Sequence, residues 1–124
     1  MLASALGRGN YARLTTFRKS GQPVATAVWF ATSGDKGYFF TGRQTGKAKR
    51  LRANPAVQLA PANARGKALG PEVSARARPL EGAEAEAARR LLARKYGLQW
   101  TLLRWFARLR GWRDDVFFEL TETT

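Results

Sequence analysis

The N-terminal third of this chain is a series of short runs rich in apolar and β-forming residues, separated by polar turns that carry glycine, the pattern of consecutive strands. Tyr11 to Phe17 is rich in β-formers, and the polar run from Arg18 to Gln22 turns around Gly21. Pro23 to Ala31 (PVATAVWFA) follows, with Val24, Thr26, Val28 and Phe30 on one face and Ala25, Ala27, Trp29 and Ala31 on the other. The small side chains at 25 and 27 beside Trp29 leave the second face open to a flat object. Ser33 to Gly37 is a second turn and Tyr38 to Thr41 a third strand, so the three runs predict an antiparallel meander.

The period then lengthens. Gly42 to Gly46 leads into a short helix, Lys47 to Ala53, which Asn54-Pro55 stops because proline disfavours helical geometry in the residue before it. Ala56 to Pro61 predicts a fourth strand, Asn63 to Pro71 a loop, and Glu72 to Leu80 a fifth strand. Glu84 to Tyr96 reads as a helix with acidic residues in its first turns, Arg94 and Lys95 in its last, and Gly97 closing it. Leu98 to Arg110, stopped by Gly111, is a second helix, and Val116 to Leu120 the sixth strand. Short strands with helices interspersed in the order βββ-α-ββ-αα-β predict a mainly β, α+β domain: one closed or half-closed antiparallel barrel with flanking helices, spanning residues 1–124.

Composition narrows the chemistry. With neither cysteine nor histidine there is no disulfide, thiolate metal site, imidazole base or ordinary haem ligand. Catalysis would run on Lys, Arg, Tyr, Asp or Glu, or be carried by a bound cofactor. Lys and Arg number 22 against 9 Asp and Glu, a formal net charge of +13, which favours anionic partners. The plain alternative is a solvated surface in a chain of biased composition. The apolar start, Met1 to Leu6, is short for a secretion signal and no run is long enough to span a bilayer, so the expected location is cytoplasmic.

Three stretches are candidates for function. Gly42 to Arg50 (GRQTGKAKR) departs from a phosphate-binding P-loop in two ways: three residues separate its glycines, and Ala48 stands where a magnesium-binding hydroxyl belongs. A glycine-flexed loop entering a helix still offers free backbone N–H groups and the positive end of the helix dipole to an anion. Thr45 adds a hydroxyl, Lys47 a charge, and Arg50 a second charge one turn on; the bland reading is a basic helix facing solvent. Leu98, Leu102, Trp105, Phe106 and Leu109 form one helical stripe, which Trp100 and Leu103 widen. Such a helix packs in a core and a subunit contact, or lies in a membrane interface. Tyr11, Arg13, Phe17, Arg18, Lys19 and Trp29 mix basic and aromatic character as a nucleic-acid surface does, but no recognition motif accompanies them and nucleic acid is not expected.

Taken together, the run YFFTGRQTGKAKRLRANPAVQL (Tyr38 to Leu59) resembles the split-barrel flavoproteins related to pyridoxamine 5'-phosphate oxidase. LTTFRKSGQPVATAVWFA (Leu14 to Ala31), Ala64-Arg65-Gly66, Gly70-Pro71-Glu72 and LLARKYGLQ (Leu91 to Gln99) look most similar to the branch that uses the deazaflavin coenzyme F420. The resemblance implies a six-stranded antiparallel split β-barrel, the FMN-binding split barrel, and a homodimer with a cofactor groove at each end of the interface. It implies that backbone of Thr26, Ala27, Val28 and Trp29 meets the cofactor ring and that Thr15 and Thr16 border it. Thr41, Arg43, Thr45, Gly46, Lys47 and Arg50 are implied to hold the ribityl chain and phosphate. The chain lacks the basic residue near Trp29 and the C-terminal extension of the oxidase members, which argues against vitamin B6 oxidation.

The resemblance thus implies hydride transfer between coenzyme F420 and a small organic substrate, a chemistry that needs no protein base. Tyr11, Tyr38 and water are the candidates if a proton is required, and no metal is implied. FMN is the alternative cofactor. A carrier that binds cofactor without turnover, or a basic barrel that binds nucleic acid, is the alternative from another class.

Overall fold

The structure is a computed structural model that describes residues 2–7, 9–109 and 115–123. In chain order the elements are α1 (Leu2–Leu6), β1 (Tyr11–Phe17), β2 (Pro23–Val28), β3 (Phe30–Ser33), β4 (Lys36–Gly42), α2 (Gly46–Ala53), β5 (Ala56–Ala62), β6 (Val73–Leu80), α3 (Gly82–Tyr96), α4 (Leu98–Leu109) and β7 (Asp115–Glu122). All the strand pairings are antiparallel, in the order β2-β1-β5-β6-β7-β4-β3.

The fold is the expected α+β split barrel, with one correction: the described residues form seven strands, not six. The run Pro23 to Ala31 breaks at Trp29. Its first part pairs with β1, its second with β4, and the two parts form opposite edges of the sheet. The sheet therefore curls until its edges meet at one residue, without a hydrogen-bonded ladder between them. The expected meander becomes two separate hairpins. Nothing local in the sequence marks this break, because its cause is tertiary. The backbone N–H of Phe30 donates to the Tyr96 hydroxyl at 2.9 Å, and its carbonyl accepts from Lys95 Nζ at 2.7 Å. Backbone groups satisfied by side chains need no strand partner.

The inward alternation persists across the break. Val28 and Phe30 are both buried and join Leu14, Leu59, Phe39, Phe118 and Leu120 in the barrel interior. Ala48 and Leu51 of α2 enter the same core, as do Leu2 and Leu6 of α1. Although α1 is short and absent from the expected elements, both its leucines are essentially inaccessible, so the apolar start of the chain is a plug. Gly37 makes room for it: a Cβ there would lie 3.3 Å from Leu2 Cδ1. A second apolar layer joins the outer sheet face (Ala31, Leu80, Phe117) to Ala88, Leu92 and Tyr96 of α3 and Trp100 of α4.

Both long helices lie where expected. Gly97 closes α3 at φ +56°, a conformation costly for other residues. The expected end of α4 at Arg110 and its stop at Gly111 lie outside the described residues. The stripe Leu98, Leu102, Trp105, Phe106, Leu109 faces outward, while Trp100 alone among the α4 residues is buried. No described helix is long and apolar enough to cross a membrane.

Candidate cofactor site

The head of α2 is assembled by two threonines and a glycine turn. Thr45 sits in extended geometry at the N-cap, where its hydroxyl accepts the N–H of Ala48 at 3.2 Å. The same hydroxyl is 2.9 Å from the Gly42 carbonyl, to which it donates, and 3.0 Å from the Thr41 hydroxyl. If the single Thr45 proton goes to Gly42, Thr41 is the donor in the threonine pair. Gly42 packs closely against this cap, since a Cβ there would stand 3.2 Å from Thr45 Cγ2, tighter than an ordinary contact. At the other end Asn54 donates its N–H to Arg50 and accepts that of Ala56 on its side chain, turning the chain into β5.

This arrangement leaves donors unanswered. Helix geometry gives the first-turn N–H groups no intrahelical acceptor. That of Ala48 reaches the Thr45 hydroxyl and that of Lys49 opens the helical ladder on the Thr45 carbonyl, whereas those of Gly46 and Lys47 have no acceptor among the described residues. Arg50, one turn on, donates from Nε to Thr16 Oγ1 at 2.6 Å. Its Nη1 lies over Gly46, where a Cβ would come within 2.8 Å of it. The guanidinium is thus anchored by one edge, with the Nη side over the helix start. Lys47 is half-buried and has no hydrogen-bond or ion-pair partner among the described residues. Burial, and secondarily the charge of Arg50, push its ammonium below the usual lysine range. Two cations, neither paired with a carboxylate among the described residues, and two free backbone N–H groups at one helix start fit a phosphate ester.

The remaining expected site residues divide between the faces of β1 and β2. Register pairs Leu14 with Thr26 and Thr16 with Val24, on the barrel side; Thr15 pairs with Ala25 and Arg13 with Ala27, on the other. Thr15 and Thr16 therefore point to opposite faces, and it is Thr16 that joins the α2 cluster through Arg50. The hydroxyls of Thr15 and Thr26 are buried without a hydrogen-bond partner among the described residues. Val28 is buried in the core, and Ala27 is approached by Gly66, whose Cβ position would lie 3.5 Å from its backbone nitrogen. At φ +83° Gly66 turns a loop pinned by Asn63, whose side-chain oxygen accepts the N–H groups of Arg65 and Lys67. The Arg43 side chain is exposed, and its carbonyl accepts from Arg52 at 3.3 Å.

Trp29 lies flat against Tyr96, with ring centroids 4.2 Å apart and planes 9° from parallel. Lys95 and Tyr96 are structural determinants of this region that residue patterns did not reveal; the run LLARKYGLQ carried only a family likeness. Of the proton-donor candidates, Tyr38 stands opposite Glu119 on β7, within the ion-pair network of Glu119 with Lys36 and Arg78. Burial and then Glu119 raise its pKa. The described residues contain no cluster of three metal-ligating side chains.

Solved structures share this fold. HutZ, a heme storage protein from Vibrio cholerae, is 15% identical with a TM-score of 0.69, over 93% of this chain and 82% of its own. An F420 reductase is 21% identical with a TM-score of 0.61, over 98% and 93% of the two chains. An FAD-binding protein from Mesorhizobium loti is 22% identical with a TM-score of 0.61, over 99% and 86%. At these identities the likeness establishes the fold alone. Among curated proteins none matches the chain by sequence. The family profile for pyridoxamine 5'-phosphate oxidase matches residues 2–121, nearly the whole chain, and the protein belongs to that family.

Proposed function

We propose that this protein is an oxidoreductase that binds the deazaflavin coenzyme F420 and transfers hydride between it and a small organic substrate. The observation that carries this reading is the unanswered donor set at the head of α2: the N–H groups of Gly46 and Lys47, the Lys47 ammonium and the free side of Arg50. A phosphate ester answers all of them. The net charge of +13 favours the more anionic of the two candidate cofactors, since the deazaflavin bears a phosphodiester and a polyglutamate tail whereas FMN bears one phosphate.

When bound, the deazaflavin supplies a ring carbon that carries hydride. The chain's own residues bind and orient. Lys47 and Arg50 hold the phosphate, Thr16 fixes the guanidinium, and Thr45 with Thr41 builds the helix start that presents the N–H groups. Backbone of Thr26 to Trp29 borders the ring, on the face where Ala25 and Ala27 leave room, with Trp29 held in place by Tyr96. In this reading the protein works in the cytoplasm as a homodimer whose partner completes the groove.

FMN is the second reading, because the same cradle suits its single phosphate. Titration with each cofactor, followed by fluorescence, separates the two, and tight binding of FMN alone would reject the deazaflavin. Tight binding without turnover across a broad panel of enones, quinones and tetrapyrroles would identify a carrier instead.

A further inference from the structure

The outward face of α4 is more apolar than its inward face. Leu98, Leu102, Trp105, Phe106 and Leu109 recur at helical spacing along one side and are 73%, 54%, 60%, 57% and 67% exposed, whereas Trp100 on the opposite side is 4% exposed. An apolar stripe of this size on a surface helix marks a contact site rather than a scattering of single exposed residues. The helix contains no acidic residue. On its flank toward α3 lies a cavity of about 520 Å³ bordered by Arg89, Arg104, Arg108, Trp100 and Trp105.

The charges around this cavity are only partly answered. Arg89 pairs with Glu86 and Arg104 with Asp115, while Arg108 has no ion-pair partner among the described residues. Burial, then the positive charges of Arg89 and Arg108, lower the pKa of Arg104, the response of a cation crowded by like charge. Arg90 shares Glu86 with Arg89, and Arg94 of α3 is exposed nearby in sequence and adds to the same sign.

We propose that α4 docks the protein on an anionic lipid surface, its outward stripe entering the acyl boundary and the arginine-bordered cavity taking a lipid headgroup phosphate. The partition of residues is that of an interfacial helix: Leu, Trp and Phe on one face, arginines at its flank, and a length suited to lying in the plane of the surface. Charge decides between this occupant and a second copy of the chain. α4 carries Arg104 and Arg108 and no acidic residue, and Arg89 joins them at the cavity, so a second copy laid on this flank would set arginines against arginines, while acidic headgroups complement them. This inference is independent of the cofactor.

The full-length protein is mixed with phosphatidylcholine vesicles with and without phosphatidylglycerol, then assayed by co-sedimentation and tryptophan emission. Expected are association roughly tenfold or more stronger with the anionic vesicles, a blue shift, weakening with added salt, and quenching by brominated lipid. Leu102→Glu with Trp105→Glu abolishes association, and Arg108→Gln weakens it several-fold, with oligomeric state unchanged in sedimentation velocity. If the variants misfold, bromolipid quenching of the unmodified protein decides alone. Absent association, or equal association with both vesicle types, overturns the proposal. So does a dimer that ignores vesicles and dissociates in Leu102→Glu/Trp105→Glu, which assigns the stripe to a second copy.

Discussion

The Tyr96 hydroxyl accepts the backbone N–H of Phe30 at 2.9 Å and lies 3.1 Å from the carbonyl of the same residue. Its proton also has the Asn10 carbonyl within 2.7 Å, so one phenol joins α3, the approach to β1 and the start of β3. Replacing it by phenylalanine keeps the ring against Trp29 but leaves the buried Phe30 N–H without an acceptor. An orphaned buried donor costs about 1–3 kcal/mol. Tyr96→Phe is expected to lower stability to urea by that amount, whereas a surface exchange such as Arg94→Gln leaves it unchanged.

The same junction gives stability an alkaline signature. Burial pushes the Tyr96 phenol up to about 12 from an ordinary value of 10.0, so its contribution is complete below 10 and is lost as pH rises through 12. Two pKa units correspond to on the order of 3 kcal/mol. Lys95 acts in the opposite sense. Burial lowers its ammonium to about 8 from 10.5, so between those values the unfolded chain binds the extra proton and stability rises with pH. Urea unfolding followed across pH is expected to show the rise lost in Lys95→Met and the later fall lost in Tyr96→Phe.

Removing Lys47 tests the phosphate cradle without touching the core. Lys47→Ala is expected to weaken cofactor binding by about 1–3 kcal/mol, the scale of a charge-assisted hydrogen bond, with thermal stability little altered. Because the ammonium titrates below the usual lysine range, affinity should fall on the alkaline side earlier than an ordinary lysine would dictate. That slope should flatten in Lys47→Met. Isothermal titration of the cofactor at several pH values measures both, and unchanged affinity would place the phosphate elsewhere.

Gly46 separates binding from folding more sharply. Alanine is the better helix former by up to about 1 kcal/mol, so Gly46→Ala is expected to preserve or raise stability. Its methyl would stand 2.8 Å from Arg50 Nη1 and push the guanidinium aside. Cofactor affinity should therefore fall several-fold while the melting temperature holds, and a variant that binds normally would remove Arg50 from the cradle.

Thr45 has the reverse profile. Its hydroxyl caps α2, and loss of such a cap costs about 1 kcal/mol. Thr45→Ala should lower stability by that amount and disorder the helix start, with Thr45→Ser restoring both. Calorimetry beside cofactor titration distinguishes this from Lys47→Ala, which affects binding alone.

What the sequence reveals follows how local each cause is. The inward set Val24, Thr26, Val28, Phe30 is legible because strand alternation survives even a broken ladder. The start of α2 is legible because Thr45-Gly46-Lys47 is punctuation within a few residues, and Asn54-Pro55 ends the helix the same way. The break at Trp29 is not, since the groups that satisfy Phe30 come from Lys95 and Tyr96, far along the chain. Nor is the opposite orientation of Thr15 and Thr16, whose assignment depends on register against Ala25 and Val24. The outward turn of the α4 stripe was equally hidden: periodicity identifies an apolar face but not the side on which it meets the protein.

The two hairpins that flank Trp29 are contacts between near neighbours in sequence, but Phe30 and Tyr96 are 66 residues apart. Such a contact carries the entropy of closing a long loop, and long-range pairings form slowly for that reason. The seam between the sheet edges is therefore expected to close late, after α3 has docked, and amide-exchange labelling during refolding checks this by the late protection of the Phe30 N–H.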